Sequence, residues 1–180
     1  GWGHLILFRH CDRRFPFLWE ATNQPAARWH AEGEGPVQYF ADTPTGAWAE
    51  FLRHEGITDE ADLEGIGRAL WAIEVPTHVF VTREPSLDPS VLRGGLDSYP
   101  ACHREARRLR AAGAEAIRAP SAALETGGAG GFFVDGGERE ARPMDGAVYV
   151  VFGRQPAFIG WPVVEAGAAP SRSLSRVRHL

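Results

Sequence analysis

The chain is 180 residues long, 44% hydrophobic and 23% charged, which is enough to bury the core of one ordinary domain and short for two. Net charge is -4, and all 19 basic residues are arginine, so the absence of lysine excludes a Schiff base, a lysine-dependent phosphate loop and a lysine general base. The acidic balance gives no broad basic field of the kind nucleic acid needs, and no run of eighteen apolar residues marks a membrane span or an intact signal peptide. The expectation is a cytoplasmic protein with no direct nucleic-acid or membrane partner.

His4 to Arg9 reads as a first strand, followed by an irregular Arg- and Pro-containing segment to about Gln24. Pro36 to Ala41 alternates apolar and polar residues as a short strand. Thr43 then offers an N-cap and Pro44 a first helical residue whose missing N–H costs nothing, which predicts a helix over 44–54. On that helix Ala47, Trp48, Phe51 and Leu52 fill one apolar arc, and Glu50 falls outside its edge, able to border the core without entering it.

Acidic residues 59–64 predict a short solvated helix, and 69–75 and 78–82 read as strands around Pro76. Residues 83–100, broken by Pro85, Pro89, Gly94 and Gly95, read as a long surface loop. A helix over 101–113 exposes Arg104, Arg107, Arg108 and Arg110 on a solvated face and stops at Gly113. Further strands are expected at 115–119, 131–134, 147–152 and 157–161, with a flexible glycine turn at 127–131. The elements lack the regular βαβα spacing of a doubly wound parallel sheet, so the fold class expected is α+β with a mixed sheet. Residues 1–165 form the expected domain. Residues 166–180, small, polar and carrying Arg172, Arg176 and Arg178 with no acid, read as a flexible basic tail.

Cys11 and Cys102 are far apart, neither belongs to a CxxC pair, and HExxH is absent, so no disulfide framework and no metal is expected. Serine-hydrolase, P-loop and dinucleotide-fold glycine signatures are also missing. One segment stands out: Arg28, the strand residue Tyr39 and the helix residue Glu50 follow one another at intervals of eleven. A strand leading into a tightly capped helix can bring Tyr39 and Glu50 to one rim, with Arg28 folding over it.

With Phe8-Arg9 on the first strand, Arg28-Trp29 before a glycine turn, Gln38 to Thr43 leading to Ala47–Glu50, and Pro120-Ser121-Ala122, the chain resembles the RES domain family. That resemblance implies an ADP-ribosyltransferase-like single domain that consumes NAD at its nicotinamide glycosidic bond, by hydrolysis or phosphorolysis. The family is often the toxin of a toxin–antitoxin pair. It implies Arg28, Tyr39, Glu50 and Ser121 as catalytic residues, and Arg9, Arg28, Tyr39 and Ser121 as NAD-binding ones. NAD is then the substrate, inorganic phosphate a candidate co-substrate, and no cofactor is required.

An antitoxin with a helix-turn-helix domain is the implied protein partner, and the apolar content fits a monomer or a homodimer. ADP-ribosyl transfer to a protein or small molecule, and a non-catalytic nucleotide- or partner-binding module, are the alternatives. Where many of the family carry Asn after Arg-Trp, this chain has His30, either an extra general base or a tolerated polar substitute.

Overall fold

The computed structural model describes residues 3–155 and 157–179. Among the described residues, nine strands and three helices are arranged in chain order as β1 (His4–Asp12), β2 (Val37–Ala41), α1 (Pro44–His54), β3 (Arg68–Pro76), β4 (Thr82–Arg83), α2 (Pro89–Leu92), α3 (Tyr99–Ala111), β5 (Ala116–Pro120), β6 (Phe132–Val134), β7 (Glu138–Glu140), β8 (Ala147–Phe152) and β9 (Ile159–Gly167). Seven strands form one sheet in the order β4-β5-β8-β2-β1-β3-β9, antiparallel except for β4 with β5, and β6 and β7 make a separate hairpin. The α+β mixed-sheet class is therefore as expected.

The sheet separates three apolar clusters by strand alternation. On one face α1 buries Trp48, Phe51 and Leu52 with Ala41, Leu70 and Leu124, and packs on Phe8. Beside it, α3 buries Cys102, Ala106 and Leu109 with Val37, Ile117, Val148 and Val150. The opposite face buries Leu7, Phe40, Ile73 and Val151, and is closed by Phe17, Phe80 and Phe158. Tyr39 thus projects from β2 between the areas covered by α1 and α3. The expected α1 cap is present: the Thr43 hydroxyl accepts from the Gly46 N–H at 3.0 Å, with Pro44 opening the helix.

β1 pairs with β3 along all nine of its residues, but with β2 only through Phe8 and Ala41. Beyond that pair β1 and β2 part, and the Arg9 guanidinium reaches across the split to the Tyr39 carbonyl at 3.1 Å.

Four local expectations are corrected. Residues 78–82 are not a strand: a 3-10 turn, Thr77–Val79, follows Pro76, and Phe80 turns inward onto Phe158, leaving only two residues for β4. The 83–100 segment contains α2, capped by the Asp88 carboxylate on the Ser90 N–H at 2.9 Å, and a 3-10 turn at Leu96–Ser98. Of the glycines at 127–131, Gly127, Gly128 and Gly130 serve close packing rather than flexibility: Gly128 is buried and a Cβ there would lie 2.9 Å from the Glu125 carbonyl oxygen.

The last fifteen residues, expected as a loose tail, are the fourth. The position 165 boundary falls inside β9, a 3-10 turn at Ser171–Arg176 follows, and Ala169 and Val177 are buried against α1 and Leu124. The basic side chains that suggested a solvated end are used as clasps. Arg176 holds the Gly128 and Gly130 carbonyls, and Arg178 that of Arg93. The exposed arginines of α3 are as expected, with Arg107 paired to Glu34 and Arg108 to Glu105.

Candidate active site

Glu50 lies in the last two turns of α1, on the edge of its apolar arc. It is half-buried, and the hydroxyl of Ser121 donates to its Oε1 at 3.1 Å. Ser121 is itself fixed at the end of β5: its N–H donates to the Gly146 carbonyl at 2.9 Å and its hydroxyl accepts from the Ala123 N–H at 3.3 Å. Two residues 71 positions apart are thereby brought together. Burial raises the Glu50 pKa above the ordinary carboxylate range, and the Ser121 hydrogen bond and the nearby Arg53, Arg28 and His54 oppose that rise.

Arg28 and Trp29 form the tip of a tight turn closed by Ala27 and His30, whose backbone groups bond at 3.1 and 3.4 Å. Trp29 anchors the turn in the α3 cluster, being 1% exposed. The Arg28 guanidinium spans the 91–98 segment, donating to the Ser98 hydroxyl at 2.9 Å, the Gly94 carbonyl at 2.6 Å and the Val91 carbonyl at 3.3 Å, and lies 4.9 Å over the Tyr99 ring.

Tyr39 carries its hydroxyl to this turn, accepting from the Trp29 N–H at 3.1 Å and meeting His30 Nδ1 at 2.8 Å. Burial raises the Tyr39 pKa far above its ordinary value, while Arg28 and Glu50 act on its charge with opposite signs. It stays a neutral phenol at any physiological pH.

Arg28, Tyr39, Glu50 and Ser121 are thus gathered at the rim between α1 and α3. Arg9 is placed differently, in the β1–β2 split on the backbone of Tyr39, with Nε buried and unpartnered. Desolvation lowers its pKa to about 10, which leaves it charged at neutral pH.

A model of the RES domain family matches residues 6–172. The chain belongs to that family. A solved structure with the same fold is that of the M. tuberculosis MbcT–MbcA toxin–antitoxin complex, with a TM-score of 0.60 at 14% identity over 91% of this chain and 86% of that one. Curated proteins give no match to the sequence.

In this RES domain the sequence reading missed two further cations. Arg53, one turn beyond Glu50, donates to the Gly94 carbonyl at 3.2 Å and to the Ala122 carbonyl, so Arg28 and Arg53 converge on one oxygen. Its position three residues after Glu50 on the same helix was the available signal. Arg68 on β3 lies 4.9 Å over the Phe51 ring and 2.9 Å from His10 Nδ1, with its Nε buried and unpartnered. Burial and the adjacent Arg68 and Arg9 depress the His10 pKa to about 3, keeping it neutral.

None of Arg9, Arg28, Arg53 and Arg68 forms a carboxylate ion pair among the described residues; their partners are carbonyls, a hydroxyl, the Cys102 thiol and ring atoms. Arg28 and Arg53 act on the Glu50 carboxylate, while Arg9 and Arg68 lie together by β1, so arginines without a carboxylate ion pair gather on this side of a chain of net charge -4. Such a site suits an anionic ligand that also presents a group for one carboxylate. Among the described residues no cluster of three or more His, Cys, Asp or Glu is placed to hold a metal, and no helix is long and apolar enough to cross a membrane.

Proposed function

We propose that this RES domain consumes NAD, breaking the bond between nicotinamide and ribose. The observation that carries the reading is the Ser121–Glu50 pair set among guanidiniums that lack carboxylate partners. Nicotinamide leaves as a neutral group and needs no acid, whereas the ribose gains oxocarbenium character in the transition state. A carboxylate holding a ribose hydroxyl binds that developing charge more strongly than the ground state, which is how Glu50 would accelerate the step.

Arg28 and Arg53 would hold the pyrophosphate by exchanging the Gly94 carbonyl for phosphate oxygens, which are stronger, charge-assisted acceptors. Arg9 would supply a third cation toward the split in the sheet, for the far phosphate or for an incoming one. Tyr39 would form the wall on the ribose side, and Ser121 would orient both Glu50 and the nicotinamide end.

Uncompensated positive charge favours an anionic acceptor, so phosphorolysis is the leading outcome, with hydrolysis next. Purified protein incubated with NAD should yield a product heavier than ADP-ribose by one phosphate when inorganic phosphate is present, and turn over at least about tenfold faster than in phosphate-free buffer. Equal rates with ADP-ribose as the sole product would establish hydrolysis. Turnover only after a protein or small molecule is added would establish ADP-ribosyl transfer, and absence of turnover a binding module. By likeness to a toxin of known partnership, we further propose a toxin role with a helix-turn-helix antitoxin covering this rim. The cell's cytoplasm, where NAD is abundant, is the corresponding place of action.

A further inference from the structure

His30 is 2% exposed, and both of its ring nitrogens are engaged. Nε2 lies 2.9 Å from the Pro25 carbonyl oxygen and Nδ1 lies 2.8 Å from the Tyr39 hydroxyl. A carbonyl oxygen can only accept, so Nε2 must carry the proton, and in a neutral imidazole Nδ1 is then bare and accepts. The neutral form is the one favoured by burial, which lowers the His30 pKa, with His103 and Arg110 acting in the same direction and Glu34 and the Pro25 carbonyl against it.

The direction of every proton in the chain follows. Trp29 N–H donates to the Tyr39 oxygen, Tyr39 O–H donates to His30 Nδ1, and His30 Nε2–H donates to Pro25. A phenolic oxygen has two acceptor positions, and Trp29 takes one. What Tyr39 can offer a ligand at this rim is therefore a single acceptor and no donor.

We propose that His30 is a positioning residue that aims the Tyr39 hydroxyl proton inward, so that Tyr39 reads a hydrogen-bond donor on the ligand. Within NAD the fitting groups are a ribose hydroxyl or the carboxamide NH2, and Tyr39 acts neither as a base nor as an acid toward them. His30 also joins this hydroxyl to the turn that presents Arg28, because its own backbone closes that turn on Ala27. The role of general base is ruled out for it, since its bare nitrogen is spent on Tyr39. The proposal rests on the NAD reading only for the identity of the ligand.

The test begins with the free protein. Nitrogen-15 spectra of the imidazole should show His30 protonated at Nε2 and bare at Nδ1 at neutral pH, and Tyr39→Phe should move the Nδ1 resonance toward that of a non-bonded nitrogen. A proton on Nδ1, or an Nδ1 resonance indifferent to Tyr39→Phe, would overturn the proposal.

Kinetics with NAD give the second arm. His30→Asn keeps an acceptor and should stay within about threefold of wild type, whereas His30→Leu should raise KM about tenfold with kcat changed less than about threefold. A folded leucine variant with unchanged KM would count against it. If the leucine variant does not fold, the spectra of wild type and Tyr39→Phe decide. If wild type releases no nicotinamide, the NAD reading falls while those spectra still decide the role of His30.

Discussion

Replacing Glu50 by Gln should lower the rate of nicotinamide release at saturating NAD by about a hundredfold or more, with KM changed much less, and should raise the melting temperature at neutral pH. The rate effect follows from geometry: Gln is nearly isosteric and can still accept from the Ser121 hydroxyl, but it brings no negative charge to an oxocarbenium-like ribose. The stability effect follows from linkage. Because the Glu50 pKa is higher folded than unfolded, the native chain holds this proton more tightly. Between the two values stability falls as pH rises, and above the folded value the desolvated carboxylate is a standing cost. Gln removes that cost.

The same shift sets the pH dependence of turnover. Activity should climb with pH through the raised Glu50 pKa, so the ascending limb of kcat lies above the ordinary carboxylate range and vanishes in Glu50→Gln. Ser121→Ala deletes a hydrogen bond that favours the carboxylate and should move the limb to still higher pH. Profiles of kcat against pH for the three proteins check this. A Gln variant retaining more than a tenth of wild-type kcat would contradict it.

Deleting residues 168–180 should cost the fold dearly. The segment buries Ala169 and Val177, packs Leu174 on the α1 cluster, and adds backbone bonds from Glu125 N–H to the Arg176 carbonyl at 2.8 Å and from Arg178 N–H to the Ala123 carbonyl at 2.7 Å. Truncation uncovers the apolar surface that Val177 and Leu174 close and removes two backbone bonds, so the remaining domain is expected to be less stable. For a domain of this size each 1 kcal/mol lost lowers Tm by about 2–4 °C. The loss reaches the site as well: Arg53 holds the Ala122 and Arg178 carbonyls together, and Ser121 heads that loop. Calorimetry of the truncated chain is the check. An unchanged Tm is what a loose tail would give.

That tail shows where sequence patterning stops. Its burial rests on alanine, valine and leucine scattered among arginines, with no period of two or 3.6 for the eye to follow, and its arginines act on carbonyls contributed from residues 93–130. Local signals served better where the structure is local. Thr43-Pro44 announced the start of α1, and the position of Glu50 at the edge of an apolar arc anticipated a carboxylate on a rim. Residues 78–82 look like a strand because β-branched and aromatic side chains dominate, yet Phe80 is drawn to Phe158 on the face of the sheet opposite α1 and α3, a contact no local pattern contains.

Of the candidate site, Arg28, Tyr39, Glu50 and Ser121 were named through the family resemblance, and the fold gathers them. Arg53 had a signal in its spacing from Glu50 that went unread, whereas Arg68 had none, since its place beside Arg9 and His10 comes from the β1–β3 pairing of the folded chain. His30 was open to two readings from sequence. Its two nitrogens, held by Pro25 and Tyr39, exclude the role of base.

The central claim is tested most directly by nicotinamide release from NAD, measured side by side for purified wild type and Glu50→Gln with the products identified by mass. The account predicts that wild type liberates one nicotinamide for each ADP-ribosyl product and that the variant falls to at most about a hundredth of that rate. Release at equal rates by both proteins, or none from wild type, would contradict it.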